Sequence, residues 1–228
     1  MNIKKFNWLV LQNLNKFFRV SFFDEIYWKV RNCNGDWKDG QSYLQSVNHS
    51  HRQEILDIIG KKYNRGFSLL EVGCNSAPNL IAIQRAFPFT ALSGVDINKK
   101  AIKEGQKNTQ NIKLSVANAD SLPFIDKSFD IVLLDAVLMY VGPDKILKVI
   151  SEIKRVAREM IIIVDFHDNV GVDGKIDEKL GHWVRDYEAI FKDYKTEIKK
   201  IDRKLWDSWN WSRLGHFITI YLNEKKGT

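Results

Sequence analysis

From Ser68 onward, short apolar runs alternate with stretches of helical periodicity, and no other feature of this 228-residue chain restricts its fold so tightly. Ser68–Val72, Ala91–Asp96, Ile112–Val116, Phe129–Leu134 and Met160–Phe166 read as strands, with helices predicted over Asn79–Phe87, Lys99–Asn108 and Pro143–Arg158. Strands separated by crossovers of this length pair in parallel through right-handed connections, so the core is a doubly wound α/β sheet. The last third breaks the rhythm. A helix is expected over His182–Lys192, then strands over Thr196–Ile201 and His216–Leu222, with the tryptophan-rich Leu205–Trp211 between them. Two strands without a crossover helix between them must be antiparallel to each other.

Composition narrows the class further. With 44% hydrophobic and 28% charged residues the chain is globular rather than disordered. Cys33 and Cys74 are the two cysteines, too few for a disulfide framework or a four-cysteine zinc site, which points to a reduced, cytoplasmic setting without a structural metal. No span reaches the roughly 18 apolar residues of a membrane-crossing helix. Residues 1–65 read as a helical and aromatic front extension, a cap or lid, ahead of a core domain over 66–228. Its opening, Met1 to Phe23, places Phe6, Leu9, Val10, Leu14, Phe17 and Phe18 at helical spacing. A lid packed on the domain body is the favoured reading of that helix, and a peripheral contact with an anionic membrane through residues 1–23 is its alternative. Gln41–Gly60 reads as a further helix. The first 65 residues carry 11 basic against 6 acidic side chains within a net charge of +7, which bears on encounter with anionic partners rather than on chemistry.

The strongest local signal is Leu69-Leu70-Glu71-Val72-Gly73-Cys74-Asn75-Ser76-Ala77-Pro78-Asn79. A strand running into a turn of small residues and then a helix presents backbone N–H groups at the carboxyl edge of the sheet, where doubly wound folds bind ligands. The second strand ends in Asp96, followed by Ile97, beside that turn, and a carboxylate there can accept hydrogen bonds from both hydroxyls of a ribose. The dinucleotide pattern G-x-G-x-x-G is broken, because Asn75 and Pro78 stand where its second and third glycines are required. A pyrophosphate loop is therefore disfavoured. Asn118-Ala119-Asp120-Ser121-Leu122-Pro123-Phe124 follows the third strand, and Ser128-Phe129-Asp130 opens the fourth.

In these motifs, their order and their spacing, Ser68 to Phe166 resembles the class I S-adenosylmethionine-dependent methyltransferases, of the type 11-like domain. The resemblance implies a Rossmann-like, mostly parallel seven-stranded sheet with an antiparallel last strand, and S-adenosylmethionine as cofactor. It places Glu71, Gly73 and Asn75 in the turn near the methionine moiety, Asp96 and Ile97 at the ribose, Ala119 and Asp120 at the adenine, and Asp135 facing methyl donor and acceptor. Asn75 and Ala77 depart from the glycines common in this turn, which predicts a shifted backbone path or weaker cofactor affinity. Front and back also resemble methyltransferases of unassigned substrate carrying Asn-His-x-His-Arg and His-Trp-x-x-Asp-Tyr stretches, with Ser50 here in place of a proline.

Methyl transfer from a sulfonium needs alignment, exclusion of water and, for a hydroxyl acceptor, a base. The candidates are His167 after the fifth strand, Asp135 and His182, with His49 and His51 ahead of the first strand; His216, opening the last strand, reads as structural. Trp28, Trp37, Tyr43, Trp183, Trp206, Trp209 and Trp211 flank the expected acceptor mouth and suit an apolar or sugar-stacking pocket. Cys74 reads as a small packed residue. The expected function is methyl transfer to a small-molecule or glycan-precursor acceptor, with nucleic acid disfavoured because no RNA-binding module is present. RNA or protein methylation, and a non-catalytic membrane-surface role, are the alternatives. The sequence leaves the oligomeric state open.

Overall fold

In the computed structural model, residues 20–31, 43–64, 66–177, 181–206 and 209–225 are described, together with positions 14 and 18. Seven strands form one sheet in the order β3-β2-β1-β4-β5-β9-β8. β1 (Ser68–Val72), β2 (Ala91–Asp96), β3 (Ile112–Val116), β4 (Phe129–Asp135) and β5 (Ala157–Phe166) run parallel, while β9 (Gly215–Lys225) lies antiparallel between β5 and β8 (Tyr194–Lys200). Successive residues of the central strands serve opposite faces, which is why their sequences read as unbroken apolar runs. Leu69, Ile131, Leu133, Ile162 and Val164 join one core cluster, and Leu70, Val132, Leu134, Ile161 and Ile163 join the other.

Helices cover both faces. The helix α2 (His51–Lys62) and α3 (Pro78–Ala86) bring Ile55, Ile59, Leu80 and Ile83 to the first cluster, and α5 (Ile146–Val156) brings Ile146, Val149 and Ile153 to the second. The helix α4 (Lys99–Asn108) starts at Asn98, whose side-chain oxygen accepts from the amides of Lys100 and Ala101 at 2.9 and 3.2 Å. Ahead of the core, α1 (Phe22–Val30) crosses the carboxyl edge of the sheet. Its start is tied beyond β4, where the Ser21 amide and hydroxyl donate to Asp144, and its end beyond β2, where the Asn98 amide group donates to the carbonyls of Trp28 and Arg31.

Three sequence expectations are corrected. The helix expected over Pro143–Arg158 spans Ile146–Val156, because Ala157 already pairs with Phe129 as the first residue of β5. In place of a helix over His182–Lys192, Trp183–Val184 forms β7 of a small hairpin with β6 (Lys175–Ile176), and only Tyr187–Ile190 is helical. The stretch Gln41–Gly60 is divided: a tight 3-10 turn over Tyr43–Asn48 precedes α2, and the Ser50 hydroxyl at the break donates to the Leu205 carbonyl. The expected helix over residues 1–23 falls mainly outside the described residues, as does Trp37. Among the described residues, no helix is long and apolar enough to cross a membrane.

Gly94 marks where β2 packs under the first turn of the site. A Cβ there would come within 2.7 Å of Leu80, 2.8 Å of the Cys74 sulfur and 2.9 Å of Leu114. Gly94→Ala is expected to lower stability by about 1–3 kcal/mol, measured as a shift of the urea midpoint at unchanged m-value.

Candidate active site

A cavity of about 310 Å³ opens at the carboxyl ends of β1, β2, β3 and β4 and extends to the aromatic back third of the chain. After β1 the backbone turns through three left-handed residues, Gly73 (φ 79°), Asn75 (φ 49°) and Ala77 (φ 69°). Asparagine tolerates this region better than most residues, and the Asn75 side chain steadies the turn by accepting from the Ser76 amide at 2.8 Å. The two substitutions thus occupy the left-handed region that glycine favours. Gly73 itself has no substitute, since a Cβ would overlap a methyl of Val137. Asp96 braces the turn from β2: one carboxylate oxygen accepts from the Asn75 amide at 2.8 Å and the other from Asn98 at 2.7 Å. Burial pushes the Asp96 carboxyl up, against the opposing pull of these amides.

Deeper in, the Asn79 amide nitrogen donates both to Glu71 at 2.7 Å and to Asp135 at 2.9 Å. Glu71 is 1% exposed, and burial raises its carboxyl to about 8. Burial would raise Asp135 too, but the His51 ring, the Arg52 guanidinium and Asn79 outweigh it and hold this carboxylate below its usual range. His51 Nε2 lies 2.9 Å from the same Asp135 oxygen, and its Nδ1 lies 2.6 Å from Nδ1 of His49. Burial lowers His51 below its ordinary value, against the opposing pull of Asp135. An ionised carboxylate only accepts, so His51 Nε2 carries a proton, while the His51 backbone amide donates to His49 Nδ1 at 3.5 Å. Around this cluster Glu71 Oε2, Asn79 Oδ1 and Asp135 Oδ1 are buried without a hydrogen-bond partner among the described residues.

The far wall is aromatic. Trp206 and Trp211 stack at 4.1 Å between ring centres, Trp206 lies 4.3 Å from His51, and Trp211 meets Phe166 at 4.8 Å. His182 packs on Tyr140 at 4.9 Å and completes this wall.

The cavity therefore gathers Glu71, Gly73, Asn75, Asp96, Ile97, Ala119, Asp135 and His182 among its lining residues. Two expected residues stand elsewhere. His167 does not line it; its Nδ1 sits 3.0 Å from the Arg185 carbonyl and 3.2 Å from the Tyr187 amide, because β5 carries the side chain toward the segment after β7. Asp120 also lies off the lining, 3.5 Å from Lys145 Nζ. His216 packs edge-on against His167, away from the cavity. Of the tryptophans, Trp28, Trp206 and Trp211 line the cavity, whereas Trp183 is buried apart from it; the side chains of Tyr43 and Trp209 lie outside the described residues. The sequence had offered no role for Asn79, Arg52 or Asp24, all of which line the cavity. The Asn-His-x-His-Arg stretch was the available signal for Arg52. Cys74 is buried and its thiol is pushed well up, as suits a packed residue. No cluster with the makings of a metal site occurs among the described residues.

Residues 70–163 match the family model of the methyltransferase domain. This segment is a methyltransferase domain. An uncharacterised protein of Haemophilus influenzae is 35% identical over 105 residues, 42% of this chain and 41% of that protein. Demethylmenaquinone methyltransferase of Staphylococcus aureus is 30% identical over 87 residues, 36% of this chain and 35% of that enzyme. The chain thus spans less than half the length of the curated relatives it matches. Geranyl diphosphate C-methyltransferase of Streptomyces coelicolor, solved with geranyl diphosphate and S-adenosyl-L-homocysteine, superposes with a TM-score of 0.61 at 11% identity, over 88% of this chain and 97% of that one. The fold is that of the class I methyltransferases.

The residues present fit S-adenosylmethionine. Asp96 stands where a ribose diol can be held, and the orphaned Glu71 and Asn79 oxygens can both accept from an ammonium group once Glu71 gives up its proton. Asp96→Ala is expected to abolish calorimetric binding of S-adenosylhomocysteine in a chain that still unfolds cooperatively; near-normal affinity would remove Asp96 from the ribose. Glu71 titrates near 8 when folded but near 4.5 when unfolded, so between these values the folded state alone keeps its proton. Stability contributed by this group is present below about 4.5 and lost as pH rises toward 8. Glu71→Gln should accordingly match the parent at pH 4 and exceed it at pH 8 in thermal unfolding without ligand.

Proposed function

We propose that the chain is an S-adenosylmethionine-dependent methyltransferase acting on a hydroxyl of a small acceptor seated against the Trp206–Trp211 wall. The observation that carries the acceptor chemistry is the line from Asp135 through His51 to His49, at 2.9 and 2.6 Å. Bound in the cavity, S-adenosylmethionine would supply a methyl group that leaves sulfur without the sulfur–carbon electron pair. Asp135 Oδ1, which has no partner of its own, accepts the acceptor's proton. An oxygen gaining a methyl group becomes strongly acidic, so even a carboxylate held below its usual range can take that proton. His51 fixes the carboxylate with its Nε2 proton, and the half-buried His49 connects the pair to the surface. Trp206 and Trp211 orient the acceptor and exclude water from the line of attack. Supporting a small acceptor, the S. aureus relative is named for a menaquinone precursor and the S. coelicolor neighbour was solved with geranyl diphosphate.

Labelled methyl from S-adenosylmethionine, incubated with the protein and a cell extract, is expected in a low-molecular-mass ether unaffected by nuclease or protease pretreatment. Label confined to RNA or protein would overturn this reading. Once the acceptor is in hand, His51→Phe should reduce kcat by roughly 10²- to 10⁴-fold while S-adenosylhomocysteine affinity changes only a few-fold.

A further inference from the structure

Beyond Asp96 the cavity walls are largely apolar, formed by Ile97, Ala117, Ala119, Val141 and Val149 beside the polar Asn118, a slot suited to a flat heterocycle. Asp120, the acid the sequence placed there, is held by Lys145 off the cavity lining. The carboxyl groups that line this end, Asp24 and Glu25, come from α1. Ser21, Asp24 and Trp28 share one helix face at i, i+3 and i+7, and all three line the cavity. Asp24 is 3% exposed and has no hydrogen-bond partner among the described contacts. Both ends of its helix are clamped. Ser21 donates to Asp144 at 2.9 Å and accepts from the Gly142 amide at 2.7 Å, Trp28 meets Tyr140 at 4.9 Å, and Asn98 holds the helix end at 2.7 and 2.9 Å. Gly142 lets this backbone approach, since a Cβ would come within 2.9 Å of the Val20 carbonyl carbon.

We infer that α1 straps over the bound nucleoside and that Asp24, as a neutral carboxylic acid, reads the adenine edge, its carbonyl accepting from the exocyclic amine and its hydroxyl donating to the adjacent ring nitrogen. The inference rests on the cofactor reading above. Burial raises Asp24 to about 7, in keeping with a neutral group. The charged groups bordering this end are Glu25 on the same helix, Lys145 paired with both Glu25 and Asp120, Asp144 on Ser21, and Asp96 at β2. Neighbouring Glu25 and Lys145 satisfy each other, which leaves Asp24 as the uncommitted carboxyl.

The test is calorimetric titration of the full chain, Asp24→Asn and Asp24→Leu with S-adenosylhomocysteine at pH 5.5 and 8.5. An asparagine amide offers the same donor and acceptor pair without a charge. Asp24→Asn should bind like the parent at pH 5.5 and more tightly than it at pH 8.5; taking the ratio of the two proteins cancels the titration of Glu71. Asp24→Leu should lose roughly tenfold to a hundredfold at pH 5.5, the scale of a bidentate base contact. Leucine binding as well as aspartate, or a parent-to-asparagine ratio that does not change with pH, would overturn the assignment. A parent that binds at neither pH defeats the cofactor reading itself, a result distinct from either.

Discussion

Two buried carboxyls sharing one amide hold the centre of this molecule together. Glu71 at the end of β1 and Asp135 at the end of β4 both accept from Asn79, the second residue of α3. Like charges this close in a low-dielectric interior cannot both ionise cheaply. The protein resolves the conflict by asymmetry. Asp135 receives the His51 ring and the charge of Arg52, while Glu71, 1% exposed, keeps its proton to about pH 8. The result is one fixed anion and one neutral acid at adjacent strand ends, with unpartnered oxygens on each. Such a centre is costly unless a ligand's donors complete it, which is the physical sense in which the fold is built around a cationic guest.

The segments outside the five-strand core do the remaining work by reaching back over the carboxyl edge. Parallel strands bring all their carboxyl ends to one side, so any segment that covers that side touches every element of the site. The front helix crosses from Gly142 and Asp144 to Asn98, and α2 delivers His51 and Arg52 from above the Asn79 turn. From the opposite end of the chain, Trp206 packs at a tilt on His51 and stacks on Trp211. Front and back therefore meet at Asp135, and the Ser50 hydroxyl on the Leu205 carbonyl joins the same two segments at the surface. Cofactor and acceptor ends share one cavity because the covering segments come from the termini while the floor comes from the middle.

Much of this was legible in the letters because the core strands are short, apolar and regularly spaced. β1, β2, β3 and α4 fall at the residues their periodicity predicts, and the antiparallel pairing of β8 with β9 follows from the absence of a crossover between them. Where local pattern and tertiary demand diverged, the pattern lost. Ala157 and Arg158 fit a helix but sit in β5, where Ala157 pairs with Phe129 and Arg158 reaches Asp130. His182 to Asp186 fits a helix too, yet Arg185 is 0% exposed because its guanidinium is taken up by the carbonyls of Leu138 and Val141, which holds the segment extended as β7.

By itself the sequence determined the doubly wound sheet, the turn after β1 and the acids at the ends of β1, β2 and β4, because strand period, turn chemistry and sheet polarity are all encoded within a few neighbouring residues. Only the tertiary structure decided which histidine reaches the site, that Asp120 turns to Lys145 while Asp24 takes the cavity wall, and that Asn79 bridges two carboxyls. Those outcomes depend on contacts across the chain, such as that between His51 and Asp135, 84 positions apart, and on the angle at which a helix crosses a sheet edge. No local pattern carries that information, since the energy that selects it comes from burying charge beside the one partner able to compensate it.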